Sequence, residues 1–277
     1  MKIKKSFRKG KYGLLFLIST TLLCSSFILT RKEHGFATLF NGKNFDGWMI
    51  QLRQEDPEME KKVFTVDEGH VIHIFRDLEE GYGSKENINA THGMMWSTKK
   101  YSRYIFKFEY KWGKKLFNNF IDFQYDAGFY YHVGERKIWP KGIEYQVRYD
   151  NVADLNHTGD FWASGDSTRF QWTMGTNGRF ALPKDGGVEV PKKGKEHLAA
   201  LAPYNALNNK WNQCEIIVMG DKYAIHKLNG NVVNYATNLS LSEGYLGLQS
   251  ETGEIYYKNI EIKELGGFVP AEKYLNR

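Results

Sequence analysis

An antiparallel β-sandwich is the fold this sequence predicts, and three observations carry that expectation. From Tyr104 to Trp112, Tyr104, Phe106, Phe108, Tyr110 and Trp112 alternate with Ile105, Lys107, Glu109 and Lys111. That period of two places the aromatics on one face. Asn229-Gly230 separates two strand-like runs, and the pair suits a tight I′ turn because both positions need positive φ. Short runs rich in Tyr, Phe, Trp and Gly recur between turn signals, with few long segments of helical period.

The first thirty residues stand apart from the rest. Lys2, Lys4, Lys5, Arg8, Lys9 and Lys11 form a cationic head, and an apolar run from Leu14 to Leu29 follows. Head and run together read as a secretory leader, and the run is short for a bilayer span of about 20 residues. The chain is therefore expected to be exported, to the periplasm or cell envelope. No Ala-x-Ala site follows, so residues 1–30 are a signal peptide or a lipoprotein leader with Leu22-Leu23-Cys24 as its lipidation box. Membrane contact is expected only through that leader or a lipid anchor at Cys24.

Six of the 38 Lys and Arg lie in the leader, which has none of the 32 Asp and Glu, so the remainder is balanced. No basic field is left to attract nucleic acid. Cys214 is the only cysteine beyond the leader, which leaves stability to the core of a domain of about 240 residues.

Residues 36–265 read as one domain and 266–277 as a C-terminal tail. Gln51 to Lys62 is charged and Pro57 argues against a strand there. Glu55, Asp56, Glu58 and Glu60 read as solvated surface. After the strand at Tyr104, the alternation returns twice. Asp126, Gly128, Tyr130 and His132 alternate with Ala127, Phe129, Tyr131 and Val133; Glu144, Gln146, Arg148 and Asp150 alternate with Ile143, Tyr145, Val147 and Tyr149. Each run offers one apolar face and one dense in hydrogen-bonding groups. Gly128 weakens a strand unless something must approach closely. Gly175 to Lys195 reads as a long Gly- and Lys-rich connection, solvated or forming a rim over the site. Trp211 to Met219, Lys222 to Leu228 and Val232 to Ala236 are joined at Gly220-Asp221 and Asn229-Gly230, and Tyr245 to Gln249 with Ile255 to Lys263 closes the domain.

Ordered motifs along the domain carry a family resemblance. The segments 39–48 (LFNGKNFDGW), 126–132 (DAGFYYH), 142–146 (GIEYQ) and 159–162 (GDFW) resemble successive motifs of the 3-keto-disaccharide hydrolase domain family. Trp211-Asn212, Leu228-Asn229-Gly230, Gly247-Leu248-Gln249 and Asn259-Ile260-Glu261-Ile262 are similar to its C-terminal motifs. The resemblance spans about residues 38 to 265. Asp126 stands where the common motif has Asn, and His132 where it has Arg, which marks a subgroup. The resemblance implies a concanavalin A-like jelly roll whose polar face belongs to a sugar-sized groove.

It also implies cleavage of a small carbohydrate, a 3-keto-glucoside or disaccharide. A C3 ketone acidifies the C2 hydrogen, so a modest base forms an enolate that expels the C1 substituent, and water adds back. Glu144 is the expected base. His132 is the expected proton donor, or with Glu144 the holder of a divalent metal that polarises the ketone. Asp126, Tyr130, Gln146, Arg148, Asp160 and Trp162 are the expected substrate-binding residues. Two alternatives stay open. A two-carboxylate glycosidase would pair Glu144 with Asp126 or Asp160 across strands. A non-catalytic sugar-binding module would use Trp139, Trp162 and Tyr130 as stacking platforms.

Overall fold

A computed structural model describes residues 35–81, 91–117, 125–193, 197–198 and 202–275. The leader, Cys24 and the last two residues of the tail lie outside the described residues. In chain order the strands are β1 (Ala37–Thr38), β2 (Trp48–Leu52), β3 (Phe64–Asp67), β4 (Val71–Ile74), β5 (Gly93–Ser97), β6 (Arg103–Leu116), β7 (Tyr125–Val133), β8 (Gly142–Asp150) and β9 (Leu155–Asn156). They continue with β10 (Phe161–Ser164), β11 (Arg169–Met174), β12 (Val188–Lys193), β13 (His197–Leu198), β14 (Asn212–Met219), β15 (Tyr223–Leu228), β16 (Asn231–Thr237), β17 (Tyr245–Ser250) and β18 (Gly253–Glu264). Among the described residues there are also two short α-helices, α1 (Pro57–Val63) and α2 (Glu272–Leu275), and a 3-10 turn at Pro183–Asp185.

These strands form two antiparallel sheets, as the alternation predicts. One runs β12-β11-β16-β15-β14-β6-β18-β4-β3, with β1 added beside β18; the other runs β13-β10-β8-β7-β17-β5-β2, with β9 beside β8. The core lies between them. Phe106 of β6 stacks on Phe129 of β7 at 4.1 Å, joining the sheets through their central strands. His226 of β15 stacks on Phe161 of β10 at 3.7 Å, and its ring nitrogens meet the Gly159 carbonyl at 2.9 Å and the Tyr131 hydroxyl at 3.0 Å. Tyr145 donates to the Lys227 carbonyl at 3.0 Å. These buried polar groups are paired, as a dry core favours, whereas the Tyr104 hydroxyl in the same core has no partner.

One expectation is extended and one corrected. Pro57 does exclude a strand, but it opens a helix: it sits in the first turn of α1, where its missing N–H costs nothing. Asp56 caps that turn through the Glu58 and Met59 amides at 3.1 Å each. The Gly175 to Lys195 stretch contains β12, an edge strand paired with β11 from Met174↔Val188 to Arg169↔Lys193. Pro191, Lys192 and Lys193 are residues that edges tolerate and central strands do not.

Candidate functional site

The outer face of the eight-stranded sheet carries the site, and cross-strand register explains its composition. One row runs Trp162, Glu144, Tyr130, Gly247, Trp96 and Met49 across β10, β8, β7, β17, β5 and β2. In the next, Gln146 faces Gly128; in the third, Arg148 faces Asp126. A cavity of about 350 Å³ opens over the β8–β7 half, lined by Asp126, Tyr130, Glu144, Gln146, Arg148 and Trp162 together with Trp139, Ser164, Glu251 and Thr252.

Over β17 and β5 the row through Gly247 and Trp96 is apolar. Met94, Trp96, Tyr130 and Val133 cluster with Met49, Ile138 and Tyr245. Ile138 comes from the loop 134–141 between β7 and β8, which also sets Arg136 over the Tyr245 ring at 4.5 Å. That loop carries Trp139 to the cavity rim. Gly247 is required beneath this cluster, because a Cβ there would lie 2.5 Å from the Trp96 ring.

Gly128 answers the question its place in a strand poses. A Cβ at this position would sit 1.9 Å from Oε1 of Glu144, so the Glu144 carboxyl lies across β7 where a side chain would otherwise stand. This brings it toward Asp126. Gln146 donates its amide to Asp126 and to the Ala127 carbonyl, and the Asp126 amide donates to Thr252 Oγ1 at 2.8 Å. Tyr130 bonds the Glu144 carboxyl and Ser164.

Glu144 is 3 % exposed and Asp126 7 %, so both pay for ionising in a dry wall. Burial pushes the Asp126 carboxyl up; Arg148 opposite, the Ala127 amide and Gln146 pull it back, leaving it at about 7. Burial holds Glu144 well above the ordinary carboxylate range, and the charge of Asp126 adds to this. Glu251 is raised by burial and by both neighbouring acids. The wall thus holds three acids, Asp126, Glu144 and Glu251, that burial pushes toward their protonated forms, with Arg148 opposite Asp126 favouring its carboxylate. A proton donor and a proton acceptor can both come from this one wall.

The structure brings together Asp126, Tyr130, Glu144, Gln146, Arg148 and Trp162. Two expected residues lie elsewhere. His132 does not share the polar face. The β7–β17 register slips between Gly247↔Tyr130 and Tyr245↔Val133, and the extra residue gives His132 a φ of +55°. A bulge of this kind reverses the alternation, so Val133 joins the outer cluster while His132, fully buried, sets Nε2 2.9 Å from the Gly220 carbonyl. It cannot hold a metal with Glu144, and among the described residues no three His, Cys, Asp or Glu are grouped to bind one. Asp160 has no exposed surface and lies beside His157, with Oδ2 3.2 Å from Nδ1, outside the cavity lining. Glu251 was missed, although Gly247, Gln249 and Glu251 continue the same alternation.

The sequence pattern described as a 3-keto-alpha-glucoside-1,2-lyase-like domain matches residues 35–263. No curated protein matches the chain significantly. Among solved structures, a candidate glycosyl hydrolase from Parabacteroides distasonis is 20% identical with a TM-score of 0.50, covering 83% of this chain and 94% of that one. A second from the same organism is 16% identical with a TM-score of 0.48, covering 83% and 99%. A Bacillus licheniformis beta-glucanase is 10% identical with a TM-score of 0.45, covering 83% and 97%. At these identities the likeness concerns the fold alone.

Proposed function

The chain belongs to the 3-keto-alpha-glucoside-1,2-lyase-like domain family, and from that premise we propose that it cleaves glycosides already oxidised to a ketone at C3. The observation that carries the reading is the pair of buried acids, Glu144 and Asp126, on one cavity wall, with Arg148 facing Asp126 across the strands. Asp126, favoured as a carboxylate by Arg148, takes the C2 proton; the C2–H electrons pass into the C3 carbonyl as an enolate. Arg148 is the cation available to that oxygen. Collapse of the enolate forms C1=C2 and breaks the C1–O bond, and Glu144 gives its proton to the leaving oxygen. Water then adds at C1. This assignment differs from the expectation of Glu144 as base, because burial and the charge of Asp126 favour the protonated form of Glu144, while Arg148 favours the carboxylate at Asp126.

Tyr130 bonds the Glu144 carboxyl and holds it in place, a bond that by itself favours the carboxylate. Trp162 and Trp139 offer ring faces on which a pyranose stacks. Gln146 orients Asp126.

The test uses a 3-keto-glucoside with an alkyl leaving group and one with 4-nitrophenol. Glu144→Gln and Asp126→Asn should each lower kcat on the alkyl substrate by about 10²–10⁴-fold. Nitrophenolate leaves without a proton, so on that substrate the Glu144 variant should recover most of its rate and the Asp126 variant none. Recovery of the Asp126 variant instead would exchange the roles. Equal cleavage of the matched unoxidised glucosides would point to a two-carboxylate glycosidase, and binding with no turnover of either would leave a sugar-binding module.

A further inference from the structure

One buried group beside the cavity has no partner. His92 is 3 % exposed, and neither Nδ1 nor Nε2 has a hydrogen-bond partner. Leaving such a ring unsatisfied costs about 1–3 kcal/mol, so its retention calls for a ligand. Gly93, the next residue, points its missing Cβ at Leu52 in the core. Strand alternation therefore aims His92 at the outer face. There its ring meets the Trp139 ring edge-on at 5.7 Å, and Trp139 lines the cavity.

Its neighbours give the position. Gly93 pairs with Ser250, and Glu251, the following residue, lines the cavity. On the far side the Arg53 amide donates to the His92 carbonyl at 2.8 Å. Glu144 lies on β8 and His92 immediately before β5, with β7 and β17 between those strands. Three strand spacings alone set those backbones at least about 14 Å apart, more than one sugar ring can span from a bond broken at Glu144.

We propose that His92 is a binding residue of a second subsite, continuous with the cavity under Trp139, that takes a hydroxyl-bearing group attached at C1 of the substrate. The inference rests on the reaction proposed at Asp126 and Glu144. Burial and the Arg53 charge hold the imidazole at about 4, so at neutral pH it offers one N–H and one lone pair, the donor–acceptor set that a sugar hydroxyl matches. The subsite favours disaccharides over simple alkyl glycosides. Trp139, 38 % exposed on its loop, moves off the ring as the second sugar enters.

The experiment follows the His92 ring nitrogens by NMR in full-length Glu144→Gln protein carrying ¹⁵N-histidine, assigned with His92→Phe. The probes are methyl 3-keto-glucoside and 3-keto-glucosyl-glucose, in both anomers, with their unoxidised counterparts in parallel. The disaccharides should move the His92 signals and the methyl glycosides should not. In the otherwise native enzyme, His92→Phe should raise KM for the keto-disaccharide about 10-fold, the worth of roughly one hydrogen bond, and His92→Gln should restore part of it. Turnover of the methyl glycoside should stay within about twofold of the original. Signals that stay fixed with every probe, or move equally with the methyl glycosides, overturn the subsite. So does an equal loss on both keto substrates. If neither keto sugar is turned over but the unoxidised disaccharide still shifts His92, the subsite stands and the keto reaction falls.

Discussion

A methyl group at residue 128 would meet the Glu144 carboxyl at 1.9 Å, yet the atom it meets is the far end of a flexible chain. Gly128→Ala should therefore fold with little change in stability while displacing the acid. A shift of about 1 Å at a reacting group costs up to 10²-fold in rate, so kcat should fall by at least about tenfold with the melting temperature within a few degrees. An unchanged kcat would mean that Glu144 is not held where it acts. Asp126 makes a second prediction at this scale. Its carboxyl sits at about 7 in the folded protein against an ordinary 3.8. Between those values the native state holds a proton that the unfolded chain has lost, so stability falls as pH rises from about 4 to 7. Asp126→Asn removes that slope and should melt higher than the original protein at pH 8, by less at pH 4. Equal pH dependence of the two would place the carboxyl in water.

Among the elements, strand β18 supplies the counter-example of a carboxylate held ionised. Glu254 reaches His73 of β4 at 2.8 Å, and the other nitrogen of that ring meets Asp67 of β3 at the same distance. Its second oxygen accepts the Lys114 amide at 2.8 Å and the Lys115 amide at 3.2 Å. These bonds outweigh burial and hold Glu254 at about 2 rather than 4.5. The contribution is present above 4.5 and is lost as pH falls from there to about 2. Glu254→Gln should cost on the order of 2 kcal/mol near neutrality, with the gap from the original closing in acid melts. The strands legible in the sequence were β6, β7 and β8, the β14–β15–β16 meander and the closing pair β17 and β18. What stayed hidden has local causes. The bulge that turns His132 inward is a property of how β7 pairs with β17, and nothing in residues 125–133 alone announces it. Edge strand β12 was read as a connection because Gly, Pro and Lys look alike in a loop and on an edge.

Over the whole molecule, sheet order decided which site residues could be found. Asp126, Gln146 and Glu144 lie on a hairpin and were visible together, whereas Glu251 and His92 reach the same face only through the order β8-β7-β17-β5, set by partners far apart in sequence. The same long-range pairing yields a prediction about cooperativity. Cys214 is fully enclosed in β14, paired with Phe108 of β6 and Leu228 of β15 at the centre of the ten-stranded sheet, and burial pushes its thiol up. No local fraying exposes that position; β14 must leave both neighbours. With residues 1–30 removed, Cys214 is the sole thiol, and the remainder, which has no further apolar run as long as Leu14 to Leu29, is predicted to stay in solution without detergent. Reductant should leave its melting temperature unchanged. A thiol reagent should react in denaturant at once, and in native buffer only as fast as global unfolding allows, so its labelling midpoint in urea should coincide with loss of the β-sheet circular dichroism signal. Fast labelling of the folded domain would show that the β6–β14–β15 centre opens on its own and is not the last part of the sandwich to give way.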